Sequence, residues 1–343
     1  MHATAAVLVL AGITIPAGSV AGELERLEYR QILMGVPVRI LVYAREKEAA
    51  NAAVHAAFDR IRQLNLIFSD YDEDSEISRL VRSPSGRAVH VSLDLATVLA
   101  ESLDLSRRSE GAFDVTVGPL VTLWRSSRRT KRLPSAGEIA AAKERVGYQS
   151  VHLDPKQLTV TLDKPGMRLD FGGIVKGYAA DEARAVLRKR GFPQALVALS
   201  GDISAGDAPP GESGWKIGVT GLEASAAEPT DFVWLKNKAV STAGDAFQFI
   251  EIGGKRYSHL LDPKTGLGIT RRVSVTVIAP TGLASDGLDS AAAILGPEKG
   301  MKLIAAAPGA NGLFIERTPT GPKTFETAGF SRYRARPADR TDR

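Results

Sequence analysis

The segment Leu169-Asp-Phe-Gly-Gly-Ile-Val-Lys-Gly-Tyr-Ala-Ala-Asp181 constrains this chain more than any other. Its paired glycines, Gly172 and Gly173, separate an apolar strand end from the start of a helical pattern. Such a turn lets backbone amides approach a ligand that a Cβ would exclude, and the following helix N-terminus favours an anion. The spacing matches neither a Walker loop nor G-x-G-x-x-G, so the standard dinucleotide fingerprints do not apply. Lys176 adds a cation, although a plain strand-to-helix turn with a solvated lysine has the same sequence. The segment Tyr257-Ser-His-Leu-Leu-Asp-Pro-Lys-Thr-Gly266 repeats the combination of carboxylate, cation and glycine. Within it, His259 is the residue type of a general base near neutral pH, or of a structural histidine.

A third segment, Ala284-Ser-Asp-Gly-Leu-Asp-Ser290, places Asp286, Asp289 and Ser290 three and four positions apart on one helix face. Two carboxylates that close repel each other unless a cation or donors compensate. The alternative is Ser285 as N-cap, with both aspartates in a first turn that the helix dipole favours. Three further turns carry similar chemistry. Tyr71 lies in a polar turn and is a candidate for stacking on a planar ring, or for covering the core edge. Gly111-Ala-Phe-Asp-Val-Thr116 precedes a helix, with Asp114 as its expected cap. Ser200-Gly-Asp202 is another strand-end turn.

Composition narrows the chemistry. There is no cysteine, which removes disulfides, thiolate catalysis, zinc-thiolate sites and a lipid-bearing lipobox. The five histidines are scattered, so a hard cation held by oxygens fits better than a histidine-rich metal site. The net charge of +5 comes from two places. The stretch Arg125–Arg132, which reads as a solvated loop, carries five basic residues and no acid, and the tail Arg332–Arg343 carries five Arg against Asp339 and Asp342. A basic balance of that origin argues against nucleic acid as a partner. At the N-terminus, Ala5–Ile15 is apolar but too short to span a membrane, and Ser19-Val-Ala21 supplies the small residues of a cleavage site. The expected organisation is an export leader over 1–21, one domain over 22–331 and a disordered basic tail over 332–343.

Hydrophobic spacing predicts extended chain over Leu27–Tyr43 with a tight break at Met34-Gly35. It predicts helices over Lys47–Phe68, Leu93–Leu105, Val175–Arg190 and Ser285–Leu295. Ser135 and Glu138 spell a capping box that starts another helix. Val151–Leu162 reads as a hairpin, and strands are expected in the apolar runs at Ala195–Leu199, Lys216–Val219, Phe247–Ile252 and Ser274–Ala279. Strands joined through hairpins and scattered among helices predict an α+β fold rather than a doubly wound parallel sheet.

Taken in order, these segments resemble the ApbE family, the FAD:protein FMN transferases. The similarity runs from about Glu28 to about Phe330 and includes Met34-Gly35, Ser69-Asp-Tyr71, Gly111-Ala-Phe-Asp114, Ser200-Gly-Asp202 and Thr242-Ala-Gly-Asp245. The resemblance implies an ApbE-like, T-fold-related arrangement of mixed sheets and packed helices, with the FAD site in a cleft. It implies transfer of FMN from FAD to a Thr or Ser hydroxyl of a target flavoprotein, with Mg2+ bound and AMP released. By position, Asp286, Asp289 and Ser290 would serve magnesium, helped by backbone at Gly173 or Val175. Met34, Tyr71, Ala112, Phe113, Asp114, Asp170, Lys176 and Leu261 would line the FAD site. His259 would activate the acceptor hydroxyl, oriented by Asp262. The family pattern has glycine where this chain has Ser200, and commonly Thr at Ser290, which keeps the hydroxyl. The implied partner is an exported or membrane-bound electron-transfer subunit, and the implied location is the periplasm, in solution or held near the membrane by an uncleaved leader. The same pocket would serve a magnesium-dependent FAD pyrophosphatase or a non-catalytic FAD carrier.

Overall fold

The computed structural model describes residues 23–222, 231–245 and 248–334. The expected leader over 1–21 lies outside the described residues, as does the tail from 335 onward. The first three residues of the expected tail belong to the fold, because Arg334 pairs with both Asp231 and Glu326.

The chain opens with a hairpin, β1 (Glu25–Leu33) and β2 (Val36–Ala44). Met34 and Gly35 connect them at φ 51° and 73°, the left-handed pair that a two-residue turn matched to strand twist requires. Helix α1 (Lys47–Phe68) follows, burying Val54, Phe58, Ile61, Leu64 and Phe68 along one face as their spacing predicts. Next come α2 (Glu76–Arg82), β3 (Val89–His90), α3 (Leu93–Arg108), α4 (Gly118–Thr130) and α5 (Ala136–Lys143). The Ser135–Glu138 capping box is formed in both directions. The hairpin of β4 (Val151–Asp154) and β5 (Thr159–Leu162) leads through the glycine loop into α6 (Val175–Lys189). Strands β6 (Ala195–Leu199), β7 (Asp202–Ala205), β8 (Trp215–Val219), β9 (Asp231–Leu235) and β10 (Lys238–Gly244) then alternate with turns. Two short hairpins, β11 (Phe249–Ile252) with β12 (Lys255–Ser258) and β13 (Leu261–Asp262) with β14 (Leu267–Gly268), precede β15 (Val273–Ala279). Helices α7 (Gly282–Leu295) and α8 (Pro297–Ala306) and the hairpin of β16 (Asn311–Thr318) and β17 (Gly321–Glu326) complete the fold.

An eight-stranded sheet in the order β1-β2-β6-β7-β10-β15-β16-β17 organises the molecule. Every neighbouring pair in it is antiparallel, so the α+β expectation holds. One face packs against the helices, with Ile40, Val197, Val275 and Val277 meeting Phe58, Ala180 and Leu288. The opposite face is covered by β8, β9 and Phe330, against Leu41, Ala198 and Ile278. Strands β6 and β15 are therefore buried on both sides. A smaller core around Leu120, Trp124, Tyr257 and Leu261 ties α4 and α5 to the short hairpins.

Two expectations need correction. Arg125–Arg132 is not a loop over most of its length: through Thr130 it is the second half of α4, where Leu120 and Trp124 bury one face and the arginines line the rest. Helix α7 begins one turn earlier than the sequence pattern indicated. Thr281 is its N-cap and accepts from the Ala284 amide, while Ser285 is buried inside the helix. Asp286 and Asp289 therefore do not sit in a first turn, and the dipole reading of their spacing falls away.

Candidate active site

Glycine contacts set the frame of the site. A Cβ on Gly177 would overlap the Gly282 carbonyl, and one on Gly282 would overlap Gly177. Helices α6 and α7 therefore cross backbone to backbone. That closeness lets the Gly177 amide donate to Asp286 Oδ2 at 2.9 Å. Asp181, one turn further along α6, accepts from the Gly282 and Leu283 amides and so fixes the start of α7. A Cβ on Gly173 would lie 3.1 Å from Ser290 Oγ and 3.6 Å from the Phe113 ring. The glycine loop thus runs directly over the hydroxyl of the acidic face.

Asp286, Asp289 and Ser290 converge as the helix spacing predicts, and all three are buried. Lys176 reaches the same place, with Nζ 2.5 Å from Asp202 Oδ2 and 3.5 Å from Asp286 Oδ1. Burial pushes the Asp286 carboxyl up to about 7, reinforced by the Asp202 charge and opposed by Lys176 and the Gly177 amide. Burial and the neighbouring charges of Asp286 and Asp202 raise Asp289 well above the usual carboxylate range. Burial works against the Lys176 charge, but the two carboxylates outweigh it and raise its pKa. Asp289 Oδ1 is buried without a hydrogen-bond partner. A buried carboxylate oxygen left unpaired is costly, and a hard cation is the ligand that removes the cost. Among the described residues no three His, Cys, Asp or Glu side chains group into a metal-holding set. The donors that fit such a cation are the two carboxylates and the Ser290 hydroxyl, with the backbone at Gly173 close over that hydroxyl.

His259 is half-buried, and its Nδ1 lies 3.1 Å from the Gln248 carbonyl oxygen. A carbonyl only accepts, so Nδ1 carries the proton and Nε2 keeps its lone pair. Burial lowers the His259 pKa, and the Lys176 and Arg128 charges lower it further. Asp262 does not orient this ring. Its carboxylate accepts from the Lys264 amide and its carbonyl from Gly266, closing the turn that Pro263 begins. The expected orienting role passes to the Gln248 carbonyl, an atom no side-chain motif reveals.

The remaining expected residues divide. Asp114 is not a helix cap, since α4 starts at Gly118 after Val117. It accepts from the Thr116 amide at 2.8 Å, the Thr116 hydroxyl at 2.6 Å and the Tyr148 amide at 3.1 Å. It therefore holds the loop that carries buried Ala112 and places the Phe113 ring against Gly173. Burial raises the Asp114 pKa while these bonds hold it down. Asp170 accepts from the Gly172 amide and shapes the glycine loop. Tyr71 is 78% exposed, as a stacking platform must be. Met34 lies at the hairpin tip, in a groove with Ile32, Leu66 and Arg62. Leu261 is buried against the Trp124 core. Asp245 was missed as a structural centre: it is buried, accepts from Arg256 Nε at 2.7 Å and the Val273 amide at 3.2 Å, and acts on His259.

The sequence model of the ApbE family matches residues 34–314. The chain belongs to the ApbE family. Among curated relatives, the FAD:protein FMN transferase of Vibrio cholerae is 30% identical over 332 residues, covering 96% of each chain. That of Haemophilus influenzae is 30% identical over 292 residues, 83% of this chain and 84% of the relative. The solved flavin transferase ApbE from Vibrio cholerae superposes with a TM-score of 0.81 at 27% identity, covering 90% of this chain and 99% of that one. The apo flavinyl transferase ApbE of Pseudomonas stutzeri gives 0.80 at 30% identity, covering 91% and 97%.

Proposed function

We propose that this ApbE-family chain transfers the FMN moiety of FAD to a Thr or Ser hydroxyl of a flavoprotein, releasing AMP. The observation that carries the reading is the buried pair Asp286–Asp289, with its unpartnered oxygen facing no protein donor, beside Lys176 and an open glycine loop. A pyrophosphate is the ligand whose charge and size suit that combination. The full-length likeness to proteins named FAD:protein FMN transferase supports the same reading.

In the reaction the acceptor oxygen forms a bond to the FMN phosphorus. The bond from that phosphorus to the bridging oxygen breaks, and AMP leaves with the electron pair. His259 Nε2 takes the hydroxyl proton, because a hydroxyl with a pKa far above 7 is a poor nucleophile until deprotonated. Its lowered pKa keeps the imidazole neutral and ready. Lys176, held by Asp202, stabilises charge on the phosphates, and glycine-loop amides supply further donors. Asp286, Asp289 and Ser290, with backbone near Gly173 and Val175, would hold Mg2+. Bound there, it supplies Lewis-acid stabilisation of the phosphoryl oxygens. Tyr71 offers its ring to the isoalloxazine.

The acceptor is read as an exported or membrane-bound electron-transfer flavoprotein, and the chain as periplasmic. Both rest on the sequence of the leader and on the family likeness. Among the described residues no helix is long and apolar enough to cross a membrane. Mass spectrometry of an acceptor domain incubated with the full chain, FAD and Mg2+ tests the function. One FMN phosphoester on the acceptor, lost with EDTA or Asp286→Ala, is expected. FMN and AMP released with every acceptor unmodified would replace transfer by hydrolysis.

A further inference from the structure

Arg125 stands on α4, in the stretch whose sequence reads as solvated loop. Its guanidinium lies over the Tyr71 ring, with Cζ 4.2 Å from the ring centroid. Two carboxylates hold it there. Nη1 is 2.6 Å from Asp70 Oδ2, and Nη2 is 3.6 Å from Asp170 Oδ2. Asp70 belongs to the turn that carries Tyr71. Asp170 belongs to the glycine loop, where its other oxygen accepts from the Gly172 amide at 2.8 Å. The guanidinium therefore bridges the Tyr71 ring and Asp170 of the glycine loop. A ligand that stacks on Tyr71 and also lays phosphates on the glycine loop spans the two groups that Arg125 bridges.

We propose that Arg125 is a gating residue on the Tyr71 platform, lying over one face of the otherwise exposed ring in the free protein and yielding that face to the flavin ring. The inference rests on the flavin reading above. Displacement breaks one cation–π contact on an exposed ring and loosens one partly exposed ion pair. Contacts of that kind set the expected effect at about three- to tenfold in affinity. The device also selects ligands. A planar ring large enough to replace the guanidinium contact opens the platform, whereas a phosphate compound without one gains nothing from Tyr71.

FAD titrated into the full chain with Mg2+, followed by flavin fluorescence and by stopped-flow association, tests this. Arg125→Met is expected to bind FAD about three- to tenfold more tightly, through faster association. Asp70→Asn, which frees the guanidinium without removing it, is expected to shift affinity the same way, and it decides the matter alone where Arg125→Met does not fold. In a Tyr71→Leu background the gain from Arg125→Met is expected to vanish. Equal or weaker binding by Arg125→Met, with binding still dependent on Tyr71, overturns the gate and leaves the function standing. Binding that ignores Tyr71 overturns the gate in the same way. Absence of FAD binding by the unaltered chain overturns both.

Discussion

Asp286 and Asp289 are costly to ionise in the protein alone. Their carboxyls are raised in the folded state, Asp286 to about 7 and Asp289 well above its usual range, while the unfolded chain releases the same protons near 4. Between those values the native state binds more protons than the unfolded state, so unfolding free energy falls as pH rises. The metal-free protein is therefore expected to lose melting temperature from about pH 4 to about pH 7. Added Mg2+, which favours the ionised pair, is expected to raise the melting temperature more at pH 8 than at pH 5. Thermal scans with EDTA and with Mg2+ at both values check this, and a gain independent of pH would detach the cation from these carboxylates. At His259 the expectation is kinetic. His259→Gln keeps a polar side chain but no base, so FAD binding is retained while transfer falls by about two to four orders of magnitude. Loss of binding together with rate would make His259 a ligand contact instead.

At the scale of elements, the crossing of α6 and α7 carries the site. Gly177→Ala must push the Gly282 carbonyl away and with it the Asp286 carboxylate that the Gly177 amide holds. Overpacking of this kind costs about 1–3 kcal/mol, and Mg2+ affinity is expected to fall with stability. Urea unfolding and metal titration of the same variant read both. How far the elements were legible depended on whether their signals were local. Helix α1 was visible end to end because five apolar residues repeat at helical spacing. The Met34-Gly35 turn was visible because only two residues separate the apolar runs. The sequence misplaced the start of α7 because Ser285 is as good a cap by type as Thr281, and the choice was made by Asp181 on another helix. It hid the second half of α4 because Arg125 finds its partners, Asp70 and Asp170, in segments remote in sequence. The Asp286–Asp289–Ser290 face was legible as a spacing. Asp202 as the partner of Lys176, and Gln248 as the group that orients His259, required the tertiary fold.

The whole molecule separates stability from chemistry across its central sheet. Its strand order could not be read from the chain, since it depends on pairings such as β2 with β6 and β7 with β10 that no local pattern encodes. The catalytic elements, α6, α7 and the glycine loop, pack on one face, and β8, β9 and Phe330 cover the other. Phe330 is fully buried against Leu41, Ala198, Ile278 and Leu313. Its removal leaves a void on the side away from Asp286 and His259. Phe330→Ala is therefore expected to destabilise the fold by about 3–5 kcal/mol while leaving the KM for FAD and the transfer rate close to those of the unaltered chain below its melting range. Leu288→Ala removes less volume, but on the helix that bears both aspartates, between them in sequence. It is expected to cost about 2–5 kcal/mol and, unlike Phe330→Ala, to weaken Mg2+ binding as well. Chemical denaturation paired with steady-state kinetics on the two variants distinguishes the faces. Equal damage to catalysis from both would mean that the sheet transmits packing defects from one side to the other rather than insulating the site from them.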